Sequence, residues 1–391
     1  MSQSLLELGV ILAVLFAGGL IASRLRQSVI PAYILGGILL HNFVTNVELI
    51  NLLSTIGLML LLFFIGLEFS TSYLRHHARP IARAGVVDLA VNFPLGLLIG
   101  RAMGWDWLAS SYLGAIVYIS SSAVVTKAMI DNRQVANPEA DTIIGILVFE
   151  DLAIVLILAL LTGFQSGGVE AAGLSWTLLK IVLFITPFLL IPPSVIPRLN
   201  RLLHVESTEL FLLMALAVVL LASALSTRLG FSEAVGAFLV GLLFSETAHR
   251  QRIIDRLAPF RDLFAAIFFL SFGLMIPWEG WSGTTLPILG LVLLGVAGKI
   301  ATGWLVCRSS RLSTRACAST GTSLIPRGEF SIILAVAAAA GLPDGPARET
   351  ILPIAAGFVL ATGAIGVIGM RELPIYWERR MEKTKSERGT R

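Results

Sequence analysis

The sequence predicts an all-α membrane protein of about 13 transmembrane helices, built from two inverted six-helix repeats that each contain a broken helix. Three observations predict this fold: the composition of the chain, the alternation of its basic residues, and an internal similarity between its halves. Of the 391 residues, 56% are apolar and 14% are charged, and the mean hydropathy is +0.85. Soluble domains carry about 25% charged residues, so this composition excludes one. The net charge of +4 fits basic cytoplasmic loops, and nucleic acid is not an expected partner.

Thirteen apolar segments, called spans 1 to 13, are candidates to cross the lipid bilayer, which requires about 20 mostly apolar residues. They cover residues 5–23, 29–40, 49–70, 81–100, 108–130, 140–163, 173–197, 207–227, 231–245, 259–276, 286–307, 314–340 and 350–370. Spans 2 and 9 are short, so a count of twelve spans, or re-entrant segments at these places, is the alternative.

The distribution of lysine and arginine supports this assignment. The odd-numbered connections and the segment after Met370 together hold 23 of these residues, whereas the even-numbered connections hold three. We expect a multi-pass protein of the cell membrane, which is the inner membrane where a cell has two. Because basic residues favour the cytoplasmic side, its N-terminus is expected outside and its C-terminus in the cytoplasm. Residues 372–391 are expected to form a short basic cytoplasmic tail. The start of the chain lacks the basic region of a cleaved signal peptide.

An internal similarity relates the two halves of the chain at an offset of about 204 residues. Gly37 in span 2 corresponds to Gly241 in span 9, and Gly66 in span 3 corresponds to Gly273 in span 10. Seven spans separate the starts of the halves, and an odd number inverts one half relative to the other. Inverted repeats are typical of secondary transporters. We predict one transporter unit over residues 1–371. Its first repeat covers residues 5–163, its second repeat covers residues 207–370, and a linker helix over 173–197 joins them.

The same offset pairs span 5 with span 12, and both contain residues that interrupt a membrane helix. Span 5 contains Ser120, Ser121 and Ser122, and span 12 contains the segment 326–329 (PRGE). Non-helical backbone at membrane depth is tolerated only where it is buried in protein or lines a cavity. We therefore predict a break in each of the two helices, and secondary transporters place their sites at such breaks.

Span 6 carries two adjacent carboxylates, Glu150 and Asp151, in the middle of an apolar segment. A carboxylate at the centre of a membrane helix costs roughly 2.5–3.5 kcal/mol, so both residues indicate a function. Neighbouring residues of a helix point about 100° apart, so one acid can bind an ion while the other pairs with a buried cation. The available cations are Lys299 in span 11 and Arg327 in span 12. The alternative for Glu150 and Asp151 is a purely structural salt bridge. Asp88 in span 4 is a further acid that either reaches the interior of the helix bundle or has a structural role.

The chemistry of such a site is narrow. A carboxylate with hydroxyl and carbonyl oxygens suits a hard monovalent cation. In a poorly hydrated cavity the same group also holds a proton near neutral pH, so the proton and the cation compete for it. Competition at one alternately exposed carboxylate is by itself an exchange mechanism. The sequence shows no nucleophile triad and no phosphate-binding glycine loop, and its two cysteines form no metal-site pattern. Neither an enzyme nor a cofactor is expected.

Taken together, these residues resemble the monovalent cation:proton antiporters, in particular the branch with the bacterial sodium/proton antiporters and the glutathione-gated potassium efflux antiporters. The resemblance covers about residues 5–370. Its motifs are residues 63–69 (FFIGLEF), 120–125 (SSSAVV), 149–152 (FEDL), 230–241 (GFSEAVGAFLVG), 268–274 (FFLSFGL) and 327–330 (RGEF). It implies a thirteen-helix homodimer with a dimerisation domain and a core domain that moves like an elevator. It also implies two broken crossing helices near the bilayer midplane, beside a carboxylate pair.

The resemblance also implies roles for individual residues. Asp151 matches the essential carboxylate for the cation and the proton, and Ser121 and Ser122 match hydroxyl positions of the first broken helix. Arg327 and Glu329 match the second broken helix and supply supporting charges.

Glu150 is the position where this chain departs from the pattern of the family. Lys299 matches a buried lysine that pairs with the first acid in members with two aspartates. That acid is usually Asp, Asn or Gln, and here it is Glu150, which is one methylene longer than Asp. A second carboxylate implies electrogenic exchange, with Glu150 beside Asp151 at the cation and proton site, although its pairing with Lys299 is not assured.

The sequence therefore predicts an antiporter that exchanges a monovalent cation, Na+ first and K+ next, for protons at Asp151. Two alternatives use the same residues. In a sodium-coupled symporter of an organic solute, Lys299 and Arg327 would bind an anionic substrate. In a cation channel, the carboxylates would select ions without coupling them to protons.

Overall fold

The computed structural model of the chain describes residues 2–25, 27–44, 47–68, 71–132, 134, 136–167, 195–229, 233–276, 281, 283–309 and 312–389. Within these residues the regular structure is helical, with fifteen helices and no strand. Nearly all of the predicted linker helix over 173–197 lies outside the described residues, as do residues 69 and 230–232 of two motifs.

The helices are numbered in chain order within the described residues. They are α1 (Ser2–Arg24), α2 (Val29–Leu40), α3 (Val47–Glu68), α4 (Thr71–Ala102), α5 (Trp107–Tyr118), α6 (Ser122–Asp131), α7 (Ala140–Gly167), α8 (Ile196–Leu202), α9 (Thr208–Arg228), α10 (Glu233–Ser245), α11 (Arg250–Leu274), α12 (Thr285–Ser309), α13 (Thr314–Ser323), α14 (Glu329–Gly341) and α15 (Pro346–Gly389).

Most of these helices have the length and composition of membrane-spanning segments. Eight are long and apolar enough to cross a bilayer, and four further apolar helices are shorter. The eight are α1, α3, α4, α7, α9, α11, α12 and α15, and the shorter four are α2, α5, α10 and α14. The predicted membrane protein is confirmed, and every predicted span except span 7 coincides with a described helix or pair of helices.

Spans 5 and 12 are both broken, as the sequence predicted. The first break separates α5 from α6 at Ile119, which has an extended backbone, and the second separates α13 from α14 around Pro326. Proline has no amide hydrogen and disfavours helical backbone in the residue before it, so α13 ends ahead of it. The two breaks are in contact, because the main-chain N–H of Ser121 donates to the carbonyl oxygen of Pro326 at 2.8 Å. The broken helices therefore cross at their breaks.

The described helices pack in two groups. One group contains α1, α2, α3, α9, α10 and α11, in which α3 packs on α10 and α11, and α2 packs on α11. The other contains α4 to α7 and α12 to α15, with α4 against α5, α7 and α12, and α15 against α12, α13 and α14. Contacts between the groups are sparse and involve mainly α7 with α10, α11 with α14, and α2 with α15. The broken helices belong entirely to the second group.

Two glycine contacts join the helices of the first group. A Cβ atom on Gly37 would lie only 2.0 Å from the carbonyl oxygen of Leu270, beside Gly273, and one on Gly66 would lie 2.9 Å from the Cα atom of Gly241. These distances leave no room for a side chain, so the backbones of α2 and α11, and of α3 and α10, are in direct contact. The offset matched Gly37 with Gly241 and Gly66 with Gly273. In the structure, Gly37 contacts Gly273 and Gly66 contacts Gly241. This exchange of partners is what a twofold relation between the halves requires.

Candidate ion-binding site

The adjacent acids of α7 point in different directions. Glu150 is fully buried and faces Lys299 of α12, whose ammonium lies 2.7 Å from Glu150 Oε1. Asp151 is 9% exposed, and its Oδ1 atom lies 3.4 Å from the hydroxyl oxygen of Ser122, the first residue of α6. The sequence left the pairing of Glu150 with Lys299 open, and the structure contains it. Asp151 faces the break between α5 and α6.

Lys299 has a second acidic partner, Asp88 of α4. Its ammonium lies 2.9 Å from Asp88 Oδ1 and 2.8 Å from Asp88 Oδ2, and both side chains are fully buried. The amide of Asn92 donates to Asp88 Oδ1 at 2.9 Å and to the hydroxyl of Thr302 at 2.9 Å. Buried charges are tolerated when they are paired and hydrogen-bonded, and these contacts meet that condition.

Glu150 also holds the end of the first break. The main-chain N–H of Ser120 donates to Glu150 Oε2, and the Ser120 hydroxyl lies 3.0 Å from Glu150 Oε1 and 2.8 Å from the carbonyl oxygen of Leu324. A helix break leaves main-chain donors and acceptors without helical partners. Glu150 satisfies one of them, so it connects Lys299 to the break.

Arg327 joins the two broken helices through their main chains. Its guanidinium donates from Nε and Nη2 to the carbonyl oxygen of Val117, at 3.0 and 2.7 Å. Its Nη1 atom donates to Leu324 and Ile325 carbonyl oxygens at 2.8 and 2.6 Å. Val117 lies at the C-terminal end of α5 and Leu324 just after α13, where helix carbonyls lack partners and the helix dipole favours a positive charge. Arg327 therefore caps both half-helices at once.

Glu329 is the first residue of α14, on the other side of the second break. Its Oε2 atom accepts a hydrogen bond of 2.9 Å from the hydroxyl of Ser121. An acidic residue is favoured at a helix N-terminus because the helix dipole is positive there. Ser331, two residues further on, donates to the carbonyl oxygen of Ile116 at 3.0 Å. The second broken helix is thus bound to the first on both sides of the crossing.

The comparison with known families decides which protein class carries this arrangement. The family model described as "Sodium/hydrogen exchanger, transmembrane" matches residues 10–373 of this chain. The chain belongs to the sodium/hydrogen exchanger family. It is a membrane cation/proton antiporter, and it is a transporter rather than an enzyme.

Individual relatives and a solved structure agree with the family. The exchanger is 34% identical to the K(+)/H(+) antiporter subunit KhtU of Bacillus subtilis, over 95% of this chain and 94% of that protein. It is 31% identical to the ammonium/H(+) antiporter subunit AmhT of Alkalihalophilus pseudofirmus, over 93% and 92% of the two chains. The sodium proton antiporter MjNhaP1 of Methanocaldococcus jannaschii has the same fold, with a TM-score of 0.73, 18% identity, and coverage of 95% and 99%. These matches give no support to a symporter or a channel.

The exchanger brings its predicted site residues together around the crossing. Asp151 lies beside Ser122, Glu150 beside Lys299, and Ser121 beside Glu329. Arg327 contacts both half-helices. The hydroxyls of Ser121 and Ser122 therefore serve different acids, which their adjacent positions in the sequence did not indicate.

Sequence reasoning did not assign a site role to Ser120 or to Asp88. Ser120 belongs to the same serine run but lies two residues before the start of α6, so the preference of serine for helix N-caps points to Ser121 and gives no separate signal for Ser120. Asp88 is a charged residue in an apolar span, which by itself marks a candidate. What the sequence lacked was the partner, since Lys299 is more than 200 positions away in the chain.

Proposed function

We propose that this exchanger binds a monovalent cation and a proton in turn at Asp151 and carries them in opposite directions. The observation that carries the proposal is the difference between the two acids of α7. Both oxygens of Glu150 bind Lys299 or Ser120, whereas Asp151 is buried with 9% of its surface still exposed, and its hydrogen-bond contact among the described residues is the long one to Ser122. Asp151 therefore has coordination capacity left for a substrate ion. Ser122 and the carbonyls near the break supply further oxygen ligands.

We propose K+ as the first cation to test and Na+ as the second. Two relatives above 30% identity are named for K+ and ammonium, whereas GerT and GerN of Bacillus cereus, whose names include Na+, are 26% identical. The name of GerN includes both Na+ and K+. The expectation from sequence placed Na+ first, and the ion preference stays a prediction.

We propose the two helix groups as the moving parts of the transporter. The group that contains α4 to α7 and α12 to α15 is the core that carries Asp151, and the group around α3 and α10 is the dimerisation domain of a homodimer. The sparse contacts between the groups support relative motion. We keep the predicted orientation, with the N-terminus outside and the C-terminus in the cytoplasm, and the predicted repeats over 5–163 and 207–370.

The experiment uses the purified exchanger in liposomes that contain a fluorescent pH dye. A preset pH gradient is challenged in turn with K+, Na+, Li+ and choline. We expect K+ or Na+ to dissipate the gradient, choline to have no effect, and Asp151→Asn to lower the rate by about tenfold or more because the ion-binding charge is lost. The matched control is Asp141→Asn, which removes an exposed acid from the first turn of the same helix. Undiminished exchange by folded Asp151→Asn would refute the site assignment.

A further inference from the structure

Asp88 of α4 is the acid of this cluster that neither the sequence pattern nor the family resemblance assigned. Its side chain is fully buried, and both of its carboxylate oxygens accept hydrogen bonds from Lys299. Asn92, one turn along α4, donates to the same carboxylate and links it to Thr302 of α12. Asp88 is thus fixed by its own helix and by α12, the helix that carries Lys299.

Lys299 uses its whole donor capacity inside this cluster. An ammonium group has three N–H donors, and the three acceptors within 2.9 Å are the two oxygens of Asp88 and Oε1 of Glu150. The ring of Tyr118 at the end of α5 lies 5.4 Å from the ammonium and closes a further side of it. Two of the three hydrogen bonds go to Asp88, so this residue is the main anchor of Lys299 and Glu150 is the minor one.

The charges around Lys299 balance without a transported ion. In their ionised forms, Asp88 and Glu150 would contribute two negative charges, and Lys299 and Arg327 two positive ones. Arg327 lies close enough to interact electrostatically with both acids, and it binds the same Leu324 carbonyl as Ser120. Among the described residues, Asp151 shares no hydrogen bond with these four side chains, and it accepts one from the hydroxyl of Ser122. The balanced set therefore needs neither the cation nor an additional proton, whereas Asp151 does.

We propose that Asp88 is a positioning residue that keeps Lys299 permanently charged and in place, so that Asp151 alone exchanges one cation for one proton and transport is electroneutral. The proposal rests on the proposed exchange at Asp151 and adds its stoichiometry. If Glu150 were the only acidic partner of Lys299, any change at Glu150 would leave the lysine as an isolated buried charge. That state is unfavourable, and loss of the lysine proton would relieve it. Asp88 removes this tendency of Lys299 to lose its proton, because the ammonium keeps a bidentate carboxylate partner throughout the transport cycle.

This inference differs from the expectation based on two adjacent carboxylates, which implied electrogenic exchange. The difference arises because Glu150 and Asp88 share Lys299 as their partner, so Glu150 is not a second ion-binding acid. A transported cation replaces the proton on Asp151 charge for charge, and the rest of the cluster keeps its net charge. Each cycle then moves no net charge across the membrane.

The experiment measures exchange and charge movement on the same proteoliposomes. Dissipation of the pH gradient by K+ or Na+ is followed with the pH dye, and membrane voltage with an oxonol dye. The wild-type exchanger is compared with Asp88→Asn, with the conservative variant Asp88→Glu, and with Asp106→Asn as the matched control. Asp106 is an exposed N-cap residue just after α4, and Asn keeps the capping capacity.

We expect wild-type exchange without a voltage signal. In Asp88→Asn, Lys299 is left with Glu150 as its acidic partner, so we expect each turnover to generate voltage, and we expect Asp88→Glu to suppress it again. A purely structural role of Asp88 would slow exchange without producing a voltage, and that result would overturn the proposal. A voltage from the wild type would overturn it as well, even if Asp88→Asn fails to fold. Loss of gradient dissipation in Asp151→Asn separates this outcome from failure of the proposed exchange itself.

Discussion

At the residue scale, the hydroxyl of Ser120 has more hydrogen-bond acceptors within reach than it has hydrogens to donate. Its hydroxyl has one hydrogen, and two acceptors lie within reach, Glu150 Oε1 and the carbonyl oxygen of Leu324. Each acceptor has another donor, because Lys299 binds Glu150 and Arg327 binds Leu324. The hydroxyl is therefore a reinforcing contact, whereas the main-chain N–H of Ser120 is the contact that the break requires.

Replacement of Ser120 by alanine tests this ranking. Because the N–H remains and both acceptors keep a second donor, Ser120→Ala should lower the free energy of unfolding by about 1 kcal/mol. The control is Ser111→Ala in α5, the helix that ends two residues before Ser120, where the hydroxyl binds the carbonyl of Trp107 one turn earlier; a change within about 0.5 kcal/mol is expected there. Denaturant titration in detergent micelles measures both. A loss several times larger for Ser120→Ala would show that the hydroxyl is indispensable to the crossing.

At the scale of helices, the glycine contacts set the distance between α3 and α10. Gly66 and Gly241 lie face to face, and a Cβ on Gly66 would come within 2.2 Å of the carbonyl oxygen of Phe238. A clash with main-chain atoms can be relieved only by moving a helix, since no rotamer change removes it. Close backbone contact of this kind is a principal way in which membrane helices gain packing energy.

Gly66→Ala should therefore destabilise the protein by about 1–3 kcal/mol, despite the better helix propensity of alanine. Gly9→Ala in α1 is the matched control, because a Cβ there would meet nothing within 4 Å. That variant should gain up to about 1 kcal/mol from helix propensity. The pair is compared by denaturant titration. Equal stabilities of the two variants would contradict the close approach of α3 and α10.

At the scale of the whole molecule, the division into two helix groups predicts which connections must stay free. Pro31 of α2 and Gly363 of α15 belong to different groups, and a Cβ on Gly363 would lie 4.0 Å from Pro31 Cγ. If the core group moves against the other group during transport, a covalent bridge at this point must stop it. A bridge within one group must not.

A cross-linking experiment makes this distinction. Cysteines at positions 31 and 363, in a background with Cys307→Ser and Cys317→Ser, are joined by a short bifunctional thiol reagent. We expect the exchange rate to fall by about tenfold or more. The control joins cysteines at Gly18 and Ala32, whose Cβ atoms would lie 3.5 Å apart within the first group; it should leave exchange largely intact. Full activity of the cross-linked 31/363 variant would refute relative motion of the groups.

The sequence predicted most of the fold and indicated most of the charged residues that meet at the crossing, because membrane proteins place strong constraints on composition. Charges such as Glu150, Asp151, Lys299 and Arg327 are conspicuous in apolar spans. Partners are a different matter. The offset between the halves indicated which glycines correspond, but correspondence does not reveal contact.

Similarly, Arg327 binds carbonyl oxygens, which have no sequence signature. The role of Asp88 depends on how α4 is rotated against α12, and tertiary packing decides that rotation. The sequence therefore identified charged residues more readily than it identified the atoms that they bind.

The glycine contacts between the two halves of the chain also show how the halves are related to each other. Residue 37 contacts 273 and residue 66 contacts 241, while 37 corresponds to 241 and 66 to 273. In a dimer of identical subunits, this exchange of partners defines an isologous interface, in which residue i of one copy contacts residue j of the other and the reverse. With the proposed repeats, the packing of α2 and α3 on α11 and α10 has the contact pattern of an isologous interface between two six-helix units in opposite orientations. Two separate copies of such a unit, inserted in opposite orientations, would meet at these same four glycines.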